Sequence, residues 1–261
     1  MPLLNLGPIE IHYEVHGQGD PLLLIHGLGS SSRDWEFQIP EFSDRFKTIA
    51  IDLRGHGTSG KPRGPYNLDM FGSDTAQFMR AIDISSAHIL GVSLGGMVAF
   101  QLALDNPELV RSLVIVNSVP ELIAHNLNDR IRYWQRILIT RLFGMEKMGR
   151  VLADRFFNEP EQEGIREIFV QRWAENYKPS YLASLKAAYG WSVLDRLGEI
   201  QTPTLVIGSD GDYFPTAEKE HYTRLMSNAE LVIIENAKHA LPAEKPAEFN
   251  RTVLNFLSNL P

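Results

Sequence analysis

Ser93 sits in Gly91-Val92-Ser93-Leu94-Gly95, with Gly96 directly after it. A short apolar run, residues 87–92, leads in, and a helical pattern over residues 97–104 leads out. A serine on a sharp strand-to-helix turn has its hydroxyl lifted clear of the backbone. The turn forces it into a sparsely populated φ/ψ region, at a cost of about 1–3 kcal/mol. The residues two before and two after it then crowd together, which Gly91 and Gly95 permit. The following helix start leaves N–H groups free and carries a positive dipole end. Ser93 can therefore act as a nucleophile, with the Leu94 N–H beside it to stabilise an oxyanion.

A serine nucleophile needs a base, and histidine suits because it titrates near neutrality. Of eight histidines, only His221 and His239 follow a plausible acid, the chain order expected after such an elbow. His221 falls in Lys219-Glu220-His221 on a surface helix pattern. His239 falls in the loop Asn236-Ala237-Lys238-His239-Ala240 after the last strand-like run, and is assigned as the base. The acid must orient the imidazole and stabilise its charged form. In Gly208-Ser209-Asp210-Gly211-Asp212-Tyr213-Phe214-Pro215 two aspartates compete. Asp212 lies deeper in the loop and is preferred, whereas Asp210 beside glycine suits turn formation. His26-Gly27-Leu28-Gly29 supplies a second glycine-bearing loop, whose Leu28 N–H can face a developing O⁻. His26 and His56 are expected to brace their loops, and Arg54 to anchor its own through an aspartate or backbone carbonyls.

These residues need a frame. Residues 21–25, 48–51, 87–92 and 113–116 are short apolar runs, the first three ending in polar or glycine-rich turns, as strands buried on both faces would be. Residues 9–15 alternate, and 203–207 and 230–234 are again strand-like. Helical patterns cover 68–82, 97–104, 216–226 and the C-terminus from Pro246, a favoured first-turn residue. The alternation predicts an α/β fold. It breaks at Pro120. From there to about Trp191 apolar residues recur at helical spacing, as in Ile131, Trp134, Leu138 and Leu142, predicting a helical insertion. The expected division is residues 1–119 and 192–261 as core, and 120–191 as insertion. No internal repeat or low-complexity segment is present.

The 261 residues are 44% hydrophobic and 22% charged, with formal net charge −7, ordinary for a globular protein. The negative balance argues against nucleic acid or an anionic membrane as main partner. With no cysteine, thiolate catalysis, disulfides and cysteine metal sites are excluded. The first eleven residues lack a signal-peptide pattern, and no run approaches the ~20 apolar residues of a membrane span. A cytoplasmic location is expected. The histidines show no metal-ligand spacing, so no metal or cofactor is called for. Nothing in the pattern specifies an oligomeric state.

With these motifs in place, together with Asp52-Leu53-Arg54-Gly55-His56-Gly57-Thr58-Ser59, the chain resembles the α/β-hydrolase superfamily in its capped, esterase-like branch. The resemblance implies a mostly parallel eight-stranded sheet flanked by helices, with residues 120–191 as a helical cap. The acid loop is one residue longer than the commonest family spacing. Family dehalogenases and epoxide hydrolases use an aspartate nucleophile, where position 93 is serine. Ring-cleavage C–C hydrolases often carry Trp after the histidine, where Ala240 stands here. The expected activity is hydrolysis of carboxylic esters of small to medium apolar substrates through an acyl-enzyme on Ser93. C–C hydrolysis, enol-lactone hydrolysis or a lyase step on the same residues are the alternatives, followed by a non-catalytic ligand-binding role. A C–C reaction would ask the insertion to present Arg132, Arg136 or Arg141 to an acidic substrate, although such arginines usually form a solvated helix face. The insertion's many aromatic residues are expected mostly to pack it against itself and the core.

Overall fold

The computed structural model describes residues 2–260. Eight strands run through it: β1 (Leu3–Asn5), β2 (Glu10–His16), β3 (Asp20–Ile25), β4 (Phe46–Ile51), β5 (Ala87–Val92), β6 (Val110–Val116), β7 (Thr204–Ser209) and β8 (Ala229–Ile234). They form one sheet in the order β1-β2-β4-β3-β5-β6-β7-β8. The β1–β2 and β2–β4 pairs are antiparallel, and all others are parallel. The helices are α1 (Ile39–Phe42), α2 (Leu68–Ala81), α3 (Leu94–Asp105), α4 (Leu127–Phe156), α5 (Glu163–Ala174), α6 (Lys178–Ala188), α7 (Thr216–Thr223), α8 (Leu241–Glu244) and α9 (Pro246–Ser258).

The continuous apolar runs have a simple cause, since helices cover both faces of the sheet. In β3, Leu23 and Ile25 point into one apolar cluster with Phe71 and Phe78 of α2 and Val98 and Phe100 of α3. Leu22 and Leu24 point the other way, onto Trp35, Phe42 of α1 and Phe249 and Val253 of α9. All four β3 side chains are fully buried, and each such burial contributes about 1.5–3 kcal/mol. The central strands open at their C-terminal ends onto the loops that carry Gly27, Ser93, Asn117 and Asp212. Among the described residues, no helix is long and apolar enough to cross a membrane.

Between β6 and β7 the chain forms α4, α5 and α6, and a lone antiparallel bridge between Glu121 and Ser192 closes the base of this excursion. A third apolar cluster built on Phe156, Trp173, Tyr181 and Leu185 holds the helices together and reaches down to Leu28, Tyr213 and Ala240. Helix α4 is broken at Gly144, which has φ 82° and ψ −176°. The residues that carried its helical spacing do not face inward. Ile131, Trp134, Leu138 and Leu142 are 43–66% exposed, because the opposite side of α4 lines a cavity. Phe143 is exposed as well, whereas Phe156, Phe157, Trp173 and Tyr181 are buried, so most of the insertion's aromatics do pack. Helix α3 begins at Leu94, earlier than its pattern suggested, since the glycines after Ser93 are themselves helical.

Candidate active site

Ser93 ends the β5 turn with φ 54° and ψ −116°, a strained conformation for a residue with a Cβ. The surroundings over-determine it. Its N–H donates to the Val116 carbonyl at 2.9 Å, and its own carbonyl accepts from the Ser118 hydroxyl at 2.7 Å and the Gly96 N–H at 2.9 Å. The packing leaves no room at Gly95, where a Cβ would run into the Ile25 carbonyl. The neighbouring loop also comes close, because a Cβ at Gly27 would lie 3.5 Å from that of Ser93. Leu28 and Leu94 both border the cavity above Ser93, and neither N–H has a backbone acceptor among the described residues.

The Leu28 loop is held from below. Buried His26 accepts the Leu53 N–H on Nε2 at 3.0 Å, so its Nδ1–H donates to the Gly27 carbonyl at 2.7 Å. Burial, opposed by nearby Asp52, depresses its pKa, and burial first drives His56 down to about 3. Both rings are neutral braces. Asp52 accepts the Ser32 and Thr58 N–H groups at 2.7 Å each, and Arg54 grips Asp74 through two 2.6 Å bonds.

The two competing aspartates separate cleanly in geometry. Asp212 Oδ1 accepts from His239 Nδ1 at 2.7 Å, whereas Asp210 accepts the Asn236 and Ala237 N–H groups at 2.9 and 3.1 Å. Asp210 thus ties the two loops together. Asn117 does the same from β6: its amide donates to the Ser209 hydroxyl and the Lys238 carbonyl at 2.9 Å each, and accepts the Ser209 N–H at 2.9 Å. His221 is exposed on α7.

Three features escape sequence reasoning. The first is Lys219, whose fully buried ammonium donates to the other oxygen of Asp212 at 2.7 Å. Burial opposes the Asp212 charge, but His239 and Lys219 together hold its carboxyl below the ordinary carboxylate range. The second is Tyr213. Its ring stacks on His239 with centroids 4.0 Å apart, and its hydroxyl meets His239 Nε2 at 2.7 Å. Ser93 and Arg136 border the same cavity as this hydroxyl. Burial pushes the phenol up to about 12, so it stays protonated and donates to Nε2. Ser93 and His239 share the cavity, yet no direct hydrogen bond joins them among the described residues; Tyr213 stands between. The third is Asn117, which no carboxylate search would retain. The only available signals were Tyr213's place beside Asp212 and the helix start that brings Lys219 back toward it.

The cavity encloses about 610 Å³ and is lined below by Ser93 and His239 and above by Tyr133, Arg136, Leu152 and Phe156. Of the three arginines in question, Arg132 and Arg136 border it and Arg141 does not.

A strained serine at a strand–helix elbow and an aspartate-bonded histidine at the same sheet edge are features of hydrolases. A family profile for the alpha/beta hydrolase fold matches residues 20–246, and the chain belongs to that family. It is 28% identical to 3-oxoadipate enol-lactonase 2 of Acinetobacter baylyi, over 96% of this chain and 94% of that one. A hydrolase from Pseudomonas aeruginosa superposes with TM-score 0.89 at 27% identity, covering 98% of this chain and 97% of that one. The enol-lactonase from Burkholderia xenovorans shares the fold, with TM-score 0.92 at 22% identity over 99% of this chain and all of that one.

Proposed function

We propose that the protein hydrolyses carboxylic esters through an acyl-enzyme on Ser93. The observation that carries this reading is the strained Ser93 turn beside an Asp212–His239 bond of 2.7 Å, under one cavity. When an ester enters, the Tyr213 hydroxyl leaves Nε2. His239 takes the Ser93 proton while Oγ bonds to the carbonyl carbon. The Leu28 and Leu94 N–H groups hold the resulting O⁻. His239 returns the proton to the departing alcohol, and the C–O bond breaks. Water then repeats the sequence on the acyl-enzyme. Asp212 keeps the Nδ1 tautomer and stabilises the imidazolium. Residues 120–191 serve as the cap that shapes the substrate space.

A second reading, lactone opening, is favoured by the 28% identity to the Acinetobacter enol-lactonase. It uses the same steps, with the leaving alcohol tethered to the acyl group.

Ser93→Ala is expected to lose turnover of 4-nitrophenyl esters, and labelling by a fluorophosphonate, while keeping its circular dichroism and melting curve. Wild-type-like turnover in that variant refutes the assignment. A panel of lactones and open-chain esters separates the two readings.

A further inference from the structure

Arg136 lies on the cavity side of α4, half-buried, with Tyr181 as its hydrogen-bond partner. Its Nε donates to the Tyr181 hydroxyl at 2.5 Å, its guanidinium sits 5.6 Å from the Tyr181 ring, and Tyr213 borders the same cavity. Burial raises both phenols, so neither supplies a negative charge. No carboxylate forms an ion pair with Arg136 among the described residues. Of the cavity's acidic side chains, Glu218 makes no ion pair among the described residues and burial raises its carboxyl, and Asp129 accepts the His125 N–H at 3.1 Å. Asp34 and Glu36 hold Arg172 at 3.0 and 2.9 Å, and Glu121 meets His125 at 3.3 Å. A guanidinium partly withdrawn from water without a counter-ion costs stability. Its planar pair of N–H groups matches a carboxylate in two parallel bonds, and the apolar wall around it strengthens that attraction.

We propose that Arg136 anchors a carboxylate carried by the substrate, so that the preferred esters or lactones are those of dicarboxylic acids. The inference rests on Ser93 as the acylated residue. Its geometric basis is the shared cavity, which Arg136 lines together with Ser93, Tyr213 and His239. A carboxylate on Arg136 and an ester carbonyl on Ser93 are the two ends of a short dicarboxylic half-ester held in that one cavity.

The test compares 4-nitrophenyl hemiglutarate with its neutral methyl-capped diester, reading nitrophenol release. The wild type is expected to favour the hemiglutarate at least tenfold in kcat/KM at low salt. Arg136→Gln should reduce that ratio at least tenfold, and Arg136→Lys should keep an intermediate ratio. A wild-type ratio near one, or a ratio unchanged in Arg136→Gln, overturns the proposal and leaves the esterase reading standing. Free glutarate supplies a readout without turnover. It should raise the melting temperature of the wild type and of Ser93→Ala, but not of Arg136→Gln. If neither ester is cleaved while glutarate still stabilises through Arg136, the esterase reading fails and the anion site survives. If glutarate gives no stabilisation, the anion site fails.

Discussion

Tyr213→Phe removes one oxygen and leaves the ring stacked on His239 and against Phe156. What disappears is the 2.7 Å bond to Nε2, whose proton fills the lone pair a general base needs. A neutral hydrogen bond contributes about 0.5–1.5 kcal/mol net. Breaking it before each proton transfer slows the reaction by the corresponding factor, roughly two- to tenfold. The variant is therefore expected to react with a fluorophosphonate roughly two- to tenfold faster than wild type. Labelling rate is the better assay, because it reports Ser93 activation with little dependence on product release. Steady-state kcat/KM for 4-nitrophenyl acetate should move the same way. A tenfold or larger loss of labelling rate would refute the reasoning. It would mean that Tyr213 passes the Ser93 proton to His239 rather than withholding the base.

Asp212→Asn should cut ester turnover by roughly 10⁴-fold by permitting the wrong imidazole tautomer, whereas Asp210→Asn should stay within tenfold; equal losses would undo the assignment of the acid. Lys219→Met leaves Asp212 buried with one partner fewer, and should cost about 3–5 kcal/mol in urea unfolding; a loss below about 1 kcal/mol would show the pair to be dispensable. Glu244 offers a pH test, since burial pushes its carboxyl up to about 7 although the Lys238 N–H, 2.9 Å away, favours its charged form. A carboxyl raised on folding contributes stability below its unfolded pKa and loses it as pH rises through about 7. The full shift is worth about 3 kcal/mol, and partial solvation reduces it, so Glu244→Gln should gain about 1–2 kcal/mol at pH 8 and close to nothing at pH 4. An equal gain at both pH values would contradict this linkage.

The sheet and the two glycine loops were legible because their requirements are local. Buried parallel strands demand unbroken apolar runs, and a backbone that must approach another demands glycine, so residues 87–96 and 26–29 announce their geometry. Chain order then singled out His239. Tyr213 gave no such sign, because a loop side chain has no periodicity and its direction is set by the turn between Asp212 and Pro215. Lys219 sits among Glu218, Glu220 and His221, a context that resembles a solvated helix, yet the first turn of α7 brings it back under Asp212. Asn117 gave no sign either, because a neutral amide after an apolar run looks like any other strand end. The stripe of Ile131, Trp134, Leu138 and Leu142 shows a further limit. Periodicity identifies a face but not its destination, and here solvent took the apolar side while the cavity took Tyr133 and Arg136.

Gly144 gives α4 two unequal parts. Beyond it, Met145, Met148, Leu152, Ala153 and Phe156 are buried, whereas before it only Ile137 and Thr140 are. A backbone at φ 82° and ψ −176° is open essentially to glycine alone, so any side chain there would favour a continuous rod. Amide hydrogens of residues 127–143 should accordingly exchange through local opening far sooner than those of 145–156. The anchored half acts as a fixed post, and the half bearing Arg136 as a door leaf whose resting angle one achiral residue sets.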